Sequence, residues 1–116
     1  MKVNENLMVY DYLRKYFDEE IALEVYRTAE ESIESILMDM QKHTYPHQMF
    51  KLRDDFYRLR RIFLNLGLWE LALEAEKLQG YVESGNFTKL IEFNELFIDE
   101  VNLFLMKDKS MAYNLT

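Results

Sequence analysis

At 116 residues and 14.1 kDa, with 49% hydrophobic and 30% charged residues, the chain is sized for one folded domain that buries roughly two thirds of its unfolded surface. A net charge of −7 excludes the broad basic surface that general nucleic-acid binding needs, and the lack of cysteine excludes disulfides, thiolate catalysis and cysteine metal sites. Three glycines and one proline give too little punctuation for a many-stranded protein, so the expectation is all-α.

The N-terminal MKVNENLMVYDY has no uninterrupted apolar run of the signal-peptide kind, and no stretch of the chain is apolar enough to span a bilayer. The expectation is a soluble cytoplasmic protein without membrane partners. The first helix is predicted over about 5–16, with Asn4 as its cap and Leu7, Tyr10, Leu13 and Phe17 on one side. Asp18 is a good cap for the second, with Glu19 and Glu20 in its first turn, where the helix dipole favours carboxylates. Its apolar face is expected at Ala22, Val25, Ala29, Ile33, Ile36 and Met40, running to about residue 42. A loop follows over His43 to His47, which holds the single proline, Pro46.

The third helix, about 46–66, has an unbroken seam of Met49, Leu52, Phe56, Leu59, Phe63 and Leu66. Gly67 fits a C-terminal stop. The fourth helix, 68–84, repeats the seam with Leu68, Leu71, Ala75, Leu78 and Val82, and Gly85 closes it. Asn86 caps a fifth helix that buries Leu90, Phe93, Phe97, Val101 and Phe104. Residues 1–107 then form the single domain, and 108–116 a tail without periodicity that is expected to fray. Short loops between long helices predict an up-down-up-down antiparallel four-helix bundle of helices two to five, with the additional short N-terminal helix packed on one end.

The stretch YRLRRIFLNLGL, residues 57–68, resembles the active-site helix and turn of histidine phosphotransfer (HPt) domains, the phosphoryl carriers of bacterial phosphorelays. The family pattern runs His, any residue, Leu, Lys, Gly, and later a turn glycine. Set in register by Gly67, this chain supplies Leu59 for the leucine and Arg60 for the lysine, and Asn65, Leu66 and Leu68 fit the turn. The histidine position holds Tyr57 and the following glycine position holds Arg61. The match is strongest over 48–85, and helix order and total length agree with the family's bundle.

At about 100° per residue, Tyr57 points roughly 130° away from the seam of helix three, and Arg61 nearly opposite it. Lys51, Arg53, Arg58, Arg60 and Arg61 place five of the 14 basic residues in one segment of an acidic chain, diluted by Asp54 and Asp55. One reading of this face is an ordinary solvated helix surface. The other is a docking surface for an acidic partner, with Arg53, Tyr57, Arg58, Arg60, Arg61, Leu64 and Trp69 as its residues. The resemblance implies that this partner is the receiver domain of a response regulator or a histidine-kinase component. Receivers gather carboxylates at their phosphorylation site, and local positive charge speeds encounter with such a surface.

The resemblance does not carry the chemistry with it. Imidazole, with an ordinary pKa of about 6.5, is a ready nucleophile at neutral pH, whereas a tyrosine hydroxyl, at about 10, is almost wholly protonated. An aryl phosphate is also a lower-energy species than a phosphoramidate, so onward transfer to aspartate would run uphill. The glycine-to-Arg61 change adds bulk beside the acceptor position. The expectation is therefore a non-catalytic HPt-like protein with no cofactor. His43 and His47 share a spacing that can bind metal on a continuous helix, but Pro46 interrupts them and no third ligand is evident, so no metal site is expected. Trp69 either stacks over helix three or is exposed as a contact. Two alternatives stay open: an active phosphotransfer protein using another residue, such as His43 or His47, and an unrelated helical adaptor or oligomerisation bundle.

Overall fold

A computed structural model of the chain describes residues 8–42 and 48–113, with side chains over 9–42 and 48–106. These residues form five helices: α1 (Met8–Arg14), α2 (Glu19–Lys42), α3 (Met49–Asn65), α4 (Trp69–Ser84) and α5 (Phe87–Tyr113). Each packs on its neighbour in the chain, and α5 also meets α1, so the helices enclose one apolar core. The α3–α4 pairing is the most extensive. No helix among the described residues is long and apolar enough to cross a membrane.

Side chains and glycines terminate the helices as their chemistry dictates. The Ile21 amide donates to Asp18 Oδ1 at 2.9 Å and the Lys89 amide to Asn86 Oδ1 at 3.3 Å, so both residues satisfy first-turn donors as N-caps. At the end of α3 the Leu68 amide donates to the Phe63 carbonyl at 2.8 Å and the Gly67 amide to the Leu64 carbonyl at 3.2 Å. Gly67 has φ +76°. This is a Schellman stop, with buried Leu68 and Phe63 as its apolar pair. The same pattern ends α4, where the Asn86 amide reaches Tyr81 and the Gly85 amide reaches Val82, with Gly85 at φ +72°.

The seam of α3 buries Leu52, Phe56, Leu59, Phe63 and Leu66, with Met49 half-buried. On α4, Leu68, Leu71, Ala75 and Leu78 are buried, Ala72 joins them, and Val82 is half-buried. Phe97 of α5 ties the core together: its ring meets Phe56 edge-on at 6.1 Å and Phe63 at 6.4 Å. Such edge contacts add to the area that each ring buries.

Four expectations are corrected. The buried face of α1 is Val9 and Leu13, with Tyr10 half-buried and Phe17 exposed. The reason is that α1 stops at Arg14 and Lys15 to Phe17 form a turn, in which the Lys15 amide bonds Tyr12 and the Tyr16 amide bonds Leu13, carrying Phe17 off the helix face. Leu7 and the Asn4 cap lie outside the described residues. On α2, Tyr26, Glu30 and Leu37 are buried, while Val25 and Ala29 are only half-buried. Both α1 and α3 cover α2, so its apolar face is wider than a single stripe and turned toward Tyr26. Helix α3 begins at Met49, after Gln48, rather than at 46. Finally, α5 continues to Tyr113, beyond the end expected at Lys107. Backbone hydrogen bonding propagates through 108–113 without an apolar period to announce it. The loop around Pro46, with His43 and His47, lies outside the described residues.

The α3–α4 turn also receives α1. A Cβ built on Gly67 would come within 2.7 Å of the Tyr12 ring, whereas nothing lies within 4 Å of one on Gly80 or Gly85. Tyr12 meets Tyr16 edge-on at 5.3 Å and Trp69 at 6.0 Å. Desolvation first, and the adjacent Tyr16 phenol second, raise the Tyr12 phenol above its ordinary pKa. The three glycines should thus separate on substitution. Gly80→Ala, inside α4, should stabilise by about 0.5–1 kcal/mol. Gly85→Ala should destabilise by about 1 kcal/mol through its left-handed backbone alone. Gly67→Ala should lose about 2 kcal/mol or more, because the methyl also strikes the Tyr12 ring. Urea unfolding measures all three. Equal losses at Gly67 and Gly85 would contradict the close approach of Tyr12.

Candidate partner-binding face on helix three

The outward side of α3 is built by the same spacing that buries its seam. Tyr57, next to fully buried Phe56, is 44% exposed, and Arg61 one turn on places its guanidinium over the Tyr57 ring at 5.9 Å. One turn before Tyr57, Arg53 lies over the ring of Phe50 at 5.2 Å and pairs with Asp54 at 3.5 Å. Phe50 is 75% exposed, and Leu64 at the far end of the line is also exposed. Phe50, Tyr57 and Leu64 recur every seven residues, so three apolar side chains alternate with Arg53 and Arg61 along one stripe.

The other expected residues divide. Arg60 is half-buried at the edge of the stripe. Arg58 turns aside and donates to the Asp55 carboxylate at 2.7 Å. Asp55 is 1% exposed, so Arg58 serves an internal carboxylate before any partner. On the α2 side the stripe borders an open groove of about 590 Å³, where Arg58, Arg61 and Asn65 face Thr28, Ser32 and Ser35. Trp69 is exposed and meets Tyr12 of α1 edge-on, so it belongs to the α1 contact at the α3–α4 turn rather than to the stripe. Among the described residues, Lys51, Arg60 and Arg61 make no ion pair. The face therefore holds guanidinium groups available to an acidic surface, with a phenol at its centre.

Two members of this region escape a reading of the sequence. Asp55 reads as a surface charge diluting the cluster, yet it is buried. The signal is its position three residues after Leu52 and four before Leu59, which puts it on the edge of the seam. Phe50 stands apart from the phosphotransfer-like pattern, and its seven-residue offset from Tyr57 is the clue.

The chain matches no family model, no curated protein and no solved structure.

The Arg58–Asp55 pair distinguishes structural from available cations. Arg58→Ala withdraws the cation at 2.7 Å from a buried carboxylate. Because Arg58 itself is half in solvent, the loss should be about 1–3 kcal/mol rather than that of a fully buried pair. Arg61→Ala, on an exposed side chain, should change stability by no more than about 0.5 kcal/mol. Equal losses in urea unfolding would show that both arginines have the same role.

Proposed function

We propose that this chain is a non-catalytic HPt-like signalling module that binds a receiver domain, or a histidine-kinase component, through the outer face of α3. The proposal includes the finer architecture: α2 to α5 as an up-down-up-down antiparallel bundle, with α1 packed on one end. The observation that carries it is the exposed Tyr57 on mid-α3, in fixed register with the left-handed Gly67 that ends the helix. That is where the resemblance puts the phosphoryl-accepting histidine, and here the position presents a phenol beneath the Arg61 guanidinium.

The physical chemistry of the face suits binding without transfer. Aromatic side chains at the centre of a contact carry much of its affinity, and peripheral cations govern approach to an acidic partner. Phe50 and Tyr57 fill the first role, with Leu64 adding apolar area beside them, and Arg53, Arg60 and Arg61 the second. A phenol is a poor nucleophile toward an acyl phosphate unless a base takes its proton, and the charged group over the Tyr57 ring is the Arg61 guanidinium. Such a module would compete with an active phosphotransfer protein for its receiver, or hold a receiver within a signalling assembly.

Incubation with phosphorylated receivers tests the proposal. The natural chain should take up no acid-labile phosphoryl group. The double variant Tyr57→His with Arg61→Gly should accept label from at least one receiver of a broad panel. Label on the natural chain would transfer the assignment to an active carrier using another residue. A folded double variant that accepts from no receiver would contradict the HPt-like reading.

A further inference from the structure

We infer that the groove between α4 and α5 is a second docking site, and that its occupant is a basic amphipathic helix of another protein. The inference stands apart from the α3 face and does not rest on the function proposed for it. Tyr81 and Phe93, stacked at 6.3 Å, and Phe97 form an apolar floor for a groove of about 590 Å³. Leu96 and Leu103, one heptad apart on α5, form its wall and remain 59% and 51% exposed. A pair of exposed leucines beside aromatic rings is the form in which a groove receives the apolar stripe of a helix.

Charge selects the occupant. Glu74, Asp99 and Glu100 rim the groove against Lys77 alone. Across α4 and α5, 69–113, the chain holds nine carboxylates and four lysines, whereas 49–65 holds five basic residues and two acidic. Lys89 places its ammonium over the Phe93 ring at 5.5 Å, which shows that this aromatic surface accepts a cation. A second copy packing groove to groove about a two-fold axis would set acidic rim against acidic rim. A helix with leucine-like anchors three or four residues apart, flanked by lysine or arginine, meets both the floor and the rim.

The test is fluorescence anisotropy with a labelled Leu/Lys amphipathic peptide of about four helical turns. A Leu/Glu peptide of the same pattern serves as the charge control. The Leu/Lys peptide should bind the full chain, and the Leu/Glu peptide should not. Leu96→Asn and Leu103→Asn leave the charge intact, and each should weaken binding about tenfold through loss of one apolar anchor. Leu73→Asn, at an exposed site of α4 outside the groove, should leave it unchanged. Circular dichroism confirms that each variant is folded. No binding of the Leu/Lys peptide, or equal binding by Leu96→Asn, Leu103→Asn and Leu73→Asn, would overturn the inference. Sedimentation showing a dimer that Leu103→Asn dissolves would overturn it in favour of a second copy.

Discussion

The approach of the Tyr12 ring to Gly67 is the constraint on which the arrangement of this protein turns. The glycine does two things at one atom. Its left-handed backbone lets two amides close the end of α3, and its missing side chain admits the aromatic ring that seats α1. The turn fixes where α3 stops and α4 begins, so it also fixes which α3 residues face α4 and which face outward. Phe63 and Leu68, joined across the stop, carry that register into the core, where Phe97 of α5 locks onto Phe56 and Phe63. Without a glycine here the buried seams would still orient α3 and α4, but the left-handed stop of α3 and the seat of the Tyr12 ring would be lost.

Much of this was legible in the residues, for identifiable reasons. Asp18, Asn86, Gly67 and Gly85 mark helix ends because capping and left-handed backbone are local chemistry. The seams of α3 and α4 could be read because each helix buries a narrow stripe. The parts that could not be read depend on tertiary contact. Tyr26 and Glu30 are buried because α2 is covered by both α1 and α3, which no spacing within α2 reveals. Phe17 is exposed because α1 is short and gives way to a turn. Asp55 is buried at the edge of the seam between Leu52 and Leu59, and the Arg58 pairing that balances its charge is one that i,i+3 spacing permits but does not require. The outward position of Tyr57 followed from helical periodicity, whereas the stacking of Arg53 and Arg61 on exposed rings did not.

The molecule divides its charge as well as its apolar surface. Guanidinium groups gather on α3 among Phe50, Tyr57 and Leu64, while carboxylates gather on α4 and α5 around a groove floored by aromatic rings. Each surface combines exposed apolar side chains with one dominant sign of charge, a combination that discriminates by repulsion as much as by attraction. The two surfaces have opposite polarity, so under the two proposals above a small helical protein joins an acidic partner to a basic one. Under the function proposed above, a phenol at position 57 is no handicap, because a scaffold or competitor has no use for a nucleophile.

Backbone amide shift mapping of the isotope-labelled chain, titrated with a panel of receiver domains, reports whether the outer face of α3 binds a receiver. At least one receiver should move the amides of Arg53, Tyr57, Arg61 and Leu64, while those of Leu96 and Leu103 stay in place. A receiver that binds but leaves the outer face of α3 unmoved, or a panel that moves nothing, would contradict binding through that face.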